Sequence, residues 1–508
     1  MPRFLPALLL VLAALVLGLA GPAQGAGGRP NVVVIMTDDQ TLADLEAMPR
    51  TQSLIGDAGT TFDRSYVSYP LCCPSRATYL TGQYAHNHGV RSTTPPEGGF
   101  EALDTRHTLP VWLEAAGYDT SHVGKYLNGY GMRRRANVPP GWTDWHATVD
   151  KSTYQMWGYT LHENGVDTTY GDFLSEDPAL YQTDVLRDKA IDVIDAHAPG
   201  RDEDPFFLSL NFVAPHGEVT EPGATTQPYV RPAPRHRGLF GTLQPESPAF
   251  DELDVRDKPP YVRGLARIGW AARERIAEDF RARRESLLAV DEAVEGVVGA
   301  LERTGQLERT YVIFTSDNGF FQGEHRIPKG KYLAYDASSR VPLLVRGPGI
   351  APGGVAQELV ANIDLAPTIL DATGTAADRP IDGRSLLSFA REPFRRTTRP
   401  ILHEGLIAGD SDRDGFSSQR RTRVGTYYAI RTSRYLYVNW RGGGRELYDL
   451  SRDPFELESR HRDPRYADVR RALAAEVARL RRCEELECGT SVEQLQPLTR
   501  RAVRSRTR

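Results

Sequence analysis

Between Leu71 and Gly82 the chain reads Leu-Cys-Cys-Pro-Ser-Arg-Ala-Thr-Tyr-Leu-Thr-Gly, which places a thiol, a proline and an arginine within five residues. A thiol becomes reactive beside a positive group, and Arg76 could supply one to Cys72. A phosphatase-type phosphate loop is excluded, because it needs a longer gap than the three residues between Cys72 and Arg76. Two further clusters, Asp38-Asp39 and Asp317-Asn318-Gly319, carry oxygen donors. Carboxylates and amides at that density suit a hard cation such as Ca2+. Read singly, the first is also a helix or loop cap and the second a turn. The chain has only six lysines, and Lys125 and Lys331 both sit in Gly-Lys-Tyr-Leu. A compact ammonium suits an anion site, with an ordinary surface lysine as the alternative for either one alone.

These residues follow runs that read as strands. Asn31–Met36, Pro205–Val213 and Thr310–Phe314 are continuous apolar runs leading into Asp38-Asp39, His216 and Asp317-Asn318. Such runs mark strands covered on both faces, as in a parallel α/β sheet. Sites in those sheets form beyond the carboxyl ends of the strands, where both acidic pairs would lie. Helical spacing runs from Glu274 to Leu301, a short helix is predicted over Ala366–Thr373 with Gly374 after its end, and another over about Asp468–Arg482. The Pro-, Gly- and Arg-rich segment 217–261 has no period and reads as a long surface loop. After about residue 390, Tyr427–Arg431 and Tyr435–Asn439 alternate like antiparallel strands.

Composition bounds the partners. The 62 basic and 66 acidic residues nearly cancel, which argues against nucleic acid. Arg3, an apolar run from Ala7 to Leu19 and small residues near Gly25-Ala26 read as a cleaved secretory signal, too short for a comfortable span. The expectation is therefore a secreted protein with no stable membrane anchor. Export allows a Cys483–Cys488 disulfide, with two free thiols as the alternative.

Taken together, Cys72-x-Pro-Ser-Arg with Leu80-Thr81-Gly82 resembles the signature of type I sulfatases of the alkaline phosphatase-like superfamily. The Asp38-Asp39 and Asp317-Asn318 pairs resemble that family's metal-ligand motifs. Gly-Lys-Tyr-Leu-Asn at 124–128, where many sulfatases carry Gly-Lys-x-His, instead looks like the N-acetylglucosamine-6-sulfatase and heparan endosulfatase branch. His86-Asn87-His88, Pro139-Pro140-Gly141-Trp142, Val341–Gly349 and Asn362–Thr368 extend that likeness across residues 29–490.

The resemblance implies a mostly parallel, mixed α/β sheet flanked by helices and a smaller C-terminal α+β domain with an antiparallel sheet. The expected divisions are a signal peptide at 1–25, a catalytic domain at 29–390, the C-terminal domain at 391–490 and a basic tail at 491–508. It also implies that Cys72 is oxidised to formylglycine by a formylglycine-generating enzyme. The hydrated aldehyde would then attack a sulfate ester and form a sulfated enzyme intermediate. One Ca2+ would lie on Asp38, Asp39, residue 72, Asp317 and Asn318. Arg76, Lys125, His216 and Lys331 would serve the sulfate and the leaving alcohol, with Asn128, His325 and His88 as candidate substrate contacts.

The substrate implied is a sulfated sugar, in particular 6-O-sulfated N-acetylglucosamine of a glycosaminoglycan, or an aryl sulfate. Trp142, Trp145, His86 and His88 are candidates to line a sugar site, and Arg231, Arg235 and Arg237 to hold a polyanionic glycan; each is equally readable as core or solvated face. A phosphate or phosphonate ester hydrolase of the same superfamily is the alternative. A catalytically silent sugar-binding protein would lack at least one of Cys72, Arg76, Lys125, His216 and Lys331, and all are present.

Overall fold

The computed structural model describes residues 28–133, 137–201, 204–218, 229–406 and 425–489. The proposed signal peptide and the basic tail lie outside the described residues. In chain order the strands are β1 (Asn31–Thr37), β2 (Thr60–Phe62), β3 (Ser65–Tyr66), β4 (Asp119–Gly124), β5 (Asp144–Thr148), β6 (Tyr159–Glu163), β7 (Val166–Tyr170) and β8 (Phe206–Asn211). They continue with β9 (Thr310–Ser316), β10 (Leu343–Arg346), β11 (Gly354–Ala356), β12 (Val360–Ala361), β13 (Ile401–Gly405), β14 (Tyr427–Arg431), β15 (Tyr435–Trp440) and β16 (Arg445–Asp449). Ten of them form one sheet in the order β11-β2-β10-β9-β1-β8-β4-β5-β6-β7. The central five, β9-β1-β8-β4-β5, are mutually parallel. The strands β13-β14-β15-β16 make a separate antiparallel sheet, as the alternation around Tyr427 and Tyr435 predicts.

The apolar runs are buried on both faces because successive side chains point to opposite sides. Val32 and Val34 join a core with Phe207, Ile313, Ala77, Leu80 and Ile369. Val33 and Ile35 join the opposite core with Leu208, Phe314, Leu287, Val290 and Val294. The first face is covered by the helices Cys72–Thr81 and Leu365–Thr373, the second by Gln182–Ala196 and Trp270–Arg303. The last of these outruns the apolar periodicity at its N-terminal end, where Trp270 is largely exposed and no packing signal marks the start.

Parallel register is what assembles the site. Because β9, β1, β8 and β4 are adjacent and run the same way, their carboxyl ends lie side by side along one edge. Asp317, Asp38, the segment leading to His216, and Lys125 are the residues those ends deliver. Gly124 is required there: its φ is +100°, and a Cβ would stand 2.0 Å from the Asn211 carbonyl oxygen on β8. Substitution Gly124→Ala is expected to cost at least about 2 kcal/mol, read from the denaturant midpoint, because the strand must part where Lys125 begins.

Candidate active site

Cys72 is the first residue of the Cys72–Thr81 helix, which the extended Leu71 precedes (φ −156°, ψ 134°). Its Sγ is fully buried, 2.7 Å from Lys331 Nζ and 3.4 Å from Asp38 Oδ1. One turn along the helix, Arg76 donates from Nε to Asp317 Oδ2 at 2.8 Å. Its Nη1 donates to the Lys125 carbonyl at 2.8 Å and to Asn211 Oδ1 at 3.2 Å. Arg76 thus fastens the ends of β9, β4 and β8 to the helix, and only Nη2, buried and without a partner, is left to face a ligand.

The acids are held against cations. Lys125 Nζ pairs with Asp38 Oδ2, and Lys331 Nζ lies 2.6 Å from Asp39 Oδ1. Asp39 adopts φ +68°, a left-handed conformation that aspartate tolerates better than most residues. Its backbone N–H donates to Asp317 Oδ1 at 3.1 Å, and its Oδ1 also receives Asn318 Nδ2 at 2.5 Å. His216 Nε2 stands 3.6 Å from Asp39 Oδ2, while Nδ1 is 2.7 Å from the Gly217 carbonyl. A carbonyl only accepts, so Nδ1 carries the hydrogen and Nε2 faces the cluster.

Burial opposes ionisation of Asp38 and Asp39, yet Lys125 and His216 for the first, and Lys331 and His216 for the second, outweigh it and hold both below the ordinary carboxylate range. Asp317 behaves oppositely: burial and the neighbouring Asp38 push it up to about 6 despite Arg76. Burial and Asp38 also push the Cys72 thiol well above its usual value, against Lys125 and Lys331. As encoded, this sulfur is a protonated thiol and a poor nucleophile.

A hard divalent cation fits this cluster. Donor atoms of Asp38, Asp39, Cys72 and His216 all lie within 4.8 Å of one another. Asn318 Oδ1 is buried with no hydrogen-bond partner, an oxygen suited to such an ion. Both Asp317 oxygens are engaged, by Arg76 and by the Asp39 N–H. The soft sulfur at position 72 and the imidazole nitrogen of His216 are the donors out of keeping with a hard ion.

The other predicted contacts fall elsewhere. Asn128 reaches the cluster through a neighbour, donating from Nδ2 to the Tyr154 hydroxyl at 2.7 Å. His88 is enclosed: Thr78 Oγ1 lies 3.1 Å from Nε2, and Val90 N–H donates to Nδ1 at 3.1 Å. Burial lowers its pKa to about 3, so both nitrogens serve the local turn as a neutral ring rather than a substrate. His325 is paired with Glu252 Oε2 at 2.6 Å and stacked against Tyr335, behind the segment bearing Lys331. His86 bridges Glu404 and the Cys483 carbonyl, and Cys483 is bonded to Cys488.

Trp142 and Trp145 lie in the core against His122 and Phe207. Arg231, Arg235 and Arg237 are neutralised by Glu218, by Asp184 and Glu292, and by Glu176. They are ion-paired within the protein, which leaves little free charge for a polyanion.

Three neighbours of the site were not marked as site residues by the chain, although Asn362 opens the Asn362–Thr368 stretch of the family likeness. Tyr154 covers Lys125 and His216, Arg283 donates to the carbonyls of Asp39 and Pro215, and Asn362 Nδ2 donates to Ser75 Oγ at 2.9 Å. Asn211 was visible only as a polar residue within the apolar run Pro205–Val213.

A family profile described as Sulfatase matches residues 30–375. The chain belongs to the sulfatase family. A second profile, described as N-sulphoglucosamine sulphohydrolase, C-terminal, matches residues 323–483 of this sulfatase. It is 37% identical to the human N-acetylglucosamine-6-sulfatase over 412 residues, 78% of this chain and 71% of the relative. It is 34% identical to an arylsulfatase of Volvox carteri over 96% of this chain and 80% of that one. The structure of BT4656 in complex with its substrate D-glucosamine-2-N,6-O-disulfate superposes with a TM-score of 0.71 at 23% identity, covering 89% of this chain and 97% of the other. That likeness is one of fold. The sulfatase is a sulfuric ester hydrolase built on the mixed, mostly parallel sheet with a smaller C-terminal antiparallel sheet.

Proposed function

We propose that this sulfatase removes the 6-O-sulfate of a glucosamine unit in a glycosaminoglycan, with residue 72 converted to formylglycine and one Ca2+ beside it. The observation that carries the reading is the Lys331 ammonium 2.7 Å from Cys72 Sγ, at the centre of a buried cluster with Asp38, Asp39 and Lys125. The human N-acetylglucosamine-6-sulfatase relative supports the choice of sugar. Asp38, Asp39, Asn318 and Asp317 would hold the ion, and an oxygen in place of sulfur at position 72 completes a hard donor set. The hydrated aldehyde would supply a nucleophile that no encoded side chain provides, and a bound cation would supply Lewis-acid polarisation of the ester oxygens.

The chain's own residues do the rest. Lys125, Lys331 and Arg76 Nη2 offer positive charge to the sulfate oxygens in a site without bulk water. His216, as the imidazolium with Nδ1–H given to Gly217, would present Nε2–H to the leaving alcohol as the proton donor. Cys72 is inaccessible once folded, so the modifying enzyme acts on the unfolded or nascent chain. Among the described residues no helix is long and apolar enough to cross a membrane, and the composition of residues 1–25 supports secretion.

Defined saccharides test the assignment. Glucosamine 6-sulfate is expected to exceed its 2-N-, 3-O- and 4-O-sulfated isomers in kcat/KM by at least about 10²-fold, the discrimination a polar site achieves. A higher rate on glucosamine 6-phosphate would move the enzyme to phosphate esters. A preference for another sulfate position would overturn the substrate.

A further inference from the structure

We infer that Tyr154 is a positioning residue that holds His216 in the geometry needed to protonate the leaving alcohol. The inference rests on the proposed role of His216 as that acid. The Tyr154 ring lies tilted against the imidazole, centroids 4.4 Å apart and planes 32° apart. Lys125 Nζ sits 4.7 Å from the centre of the same ring. Tyr154 therefore touches two of the groups that serve the reaction.

The fold commits buried polar groups to keeping it there. Asn128 Nδ2 donates to its hydroxyl at 2.7 Å, which sets the rotation of the ring. Gln182 Nε2 donates to the carbonyls on either side of it, Thr153 and Gln155, both at 2.9 Å. Glu218, two residues beyond His216, accepts the Met156 N–H at 2.7 Å and is clamped in turn by Arg231. One carboxylate thus ties the segment bearing Tyr154 to the segment bearing His216. Arg231 is itself wedged over Trp157 and Phe173, so this tie has little freedom.

The two partners depend on the ring unequally. Lys125 has an ion pair with Asp38 and keeps its place without Tyr154. His216 has the Gly217 carbonyl on one side and, at 3.6 Å from Asp39, no hydrogen bond on the other. Rotation about that single hydrogen bond would swing Nε2 away from the alcohol, and the Tyr154 ring packed against the imidazole is what resists it.

Proton donation matters in proportion to how poor the leaving group is. When the S–O bond breaks, the electron pair goes to the alcohol oxygen. A sugar alkoxide then takes the Nε2 proton of the His216 imidazolium, leaving the neutral ring with its hydrogen on Nδ1, whereas 4-nitrophenolate departs without it. The test uses the mature full-length enzyme and its Tyr154→Leu, Tyr154→Met, Tyr154→Phe and His216→Ala variants on glucosamine 6-sulfate and 4-nitrophenyl sulfate. The two ringless variants are expected to lose about 10²-fold in kcat on the sugar and less than about tenfold on the aryl ester, in the range general-acid catalysis contributes. Tyr154→Phe, which keeps the face, should restore the sugar rate to within about tenfold of the parent.

Unfolding midpoints show which variants are folded, and the second ringless variant serves if the first is not. Equal losses on both esters, or no loss, in a folded ringless variant overturn the inference, as does a Phe variant as poor on sugar as the ringless ones. If His216→Ala is selective and the Tyr154 variants are not, only the positioning role falls. If His216→Ala loses equally on both esters, the acid assignment falls and the inference with it.

Discussion

Replacing Cys72 with alanine is expected to lower turnover of any sulfate ester by at least about 10⁴-fold, the scale on which enzymes lose activity when their nucleophile is removed. The fold should survive. The side chain is fully buried among Lys331 and Asp38, and deleting one sulfur there costs about 1 kcal/mol, within the stability of a domain this size. The same experiment separates the two chemistries open to the encoded residue. A thiol held protonated by burial and by Asp38 makes a weak nucleophile, so an unmodified Cys72 predicts low activity in the parent as well.

Mass spectrometry of the peptide spanning Cys72 is expected to show its –CH2SH side chain converted to the aldehyde –CHO, oxygen in place of sulfur with two hydrogens fewer, and Cys73, also buried, left as a thiol. Activity should track the modified fraction when protein is prepared with and without the modifying enzyme. Full activity from a chain whose Cys72 is entirely thiol would sink the mechanism.

Removing divalent ions is the second large effect. Exhaustive chelation should lower kcat by at least about 10²-fold, since the ion's charge stabilisation is worth several kcal/mol, and added Ca2+ should restore it. Unlike many structural metal sites, this one should not unfold when emptied. Lys125 pairs with Asp38, Lys331 with Asp39 and Arg76 with Asp317, so three carboxylates face three cations. A buried charge left alone would cost several kcal/mol, and none of the three is alone.

A cation on Asp38 and Asp39 would compete with Lys125 and Lys331 for the carboxylate oxygens they pair with, and both ammonium groups would then be left to the sulfate. Elemental analysis of the parent and the chelated protein, with unfolding midpoints for both, is the measurement. The midpoint should fall by only a few degrees, the linkage expected of a bound ligand. Full turnover at zero metal content would exclude the ion from the reaction, and global unfolding on chelation would make it structural.

The chain by itself determined the central sheet and most of the site. Val32–Ile35 and Val312–Phe314 are buried on both faces, and that burial is legible because unbroken β-branched and aromatic runs leave no polar face for solvent. Asp38-Asp39 and Asp317-Asn318 follow those runs directly, so their place at the strand ends was a local property. Cys72 and Arg76 are one helical turn apart, again a local relation. Lys125 and Lys331 stood out because lysine is rare here and both occur in the same four-residue context.

Tertiary structure alone decided which cation meets which acid. Lys331 meets Asp39 and Cys72 across 292 and 259 residues, and Arg76 is spent on three strand ends rather than turned on Cys72. Long-range pairs of this kind depend on strand order, which no local pattern encodes. The same reason hid the places of Tyr154, Arg283 and Asn362 beside the site, and turned His88, Trp142 and Trp145 inward. A buried aromatic or histidine looks alike in sequence whether it packs a core or lines a site, and only its neighbours tell the two apart.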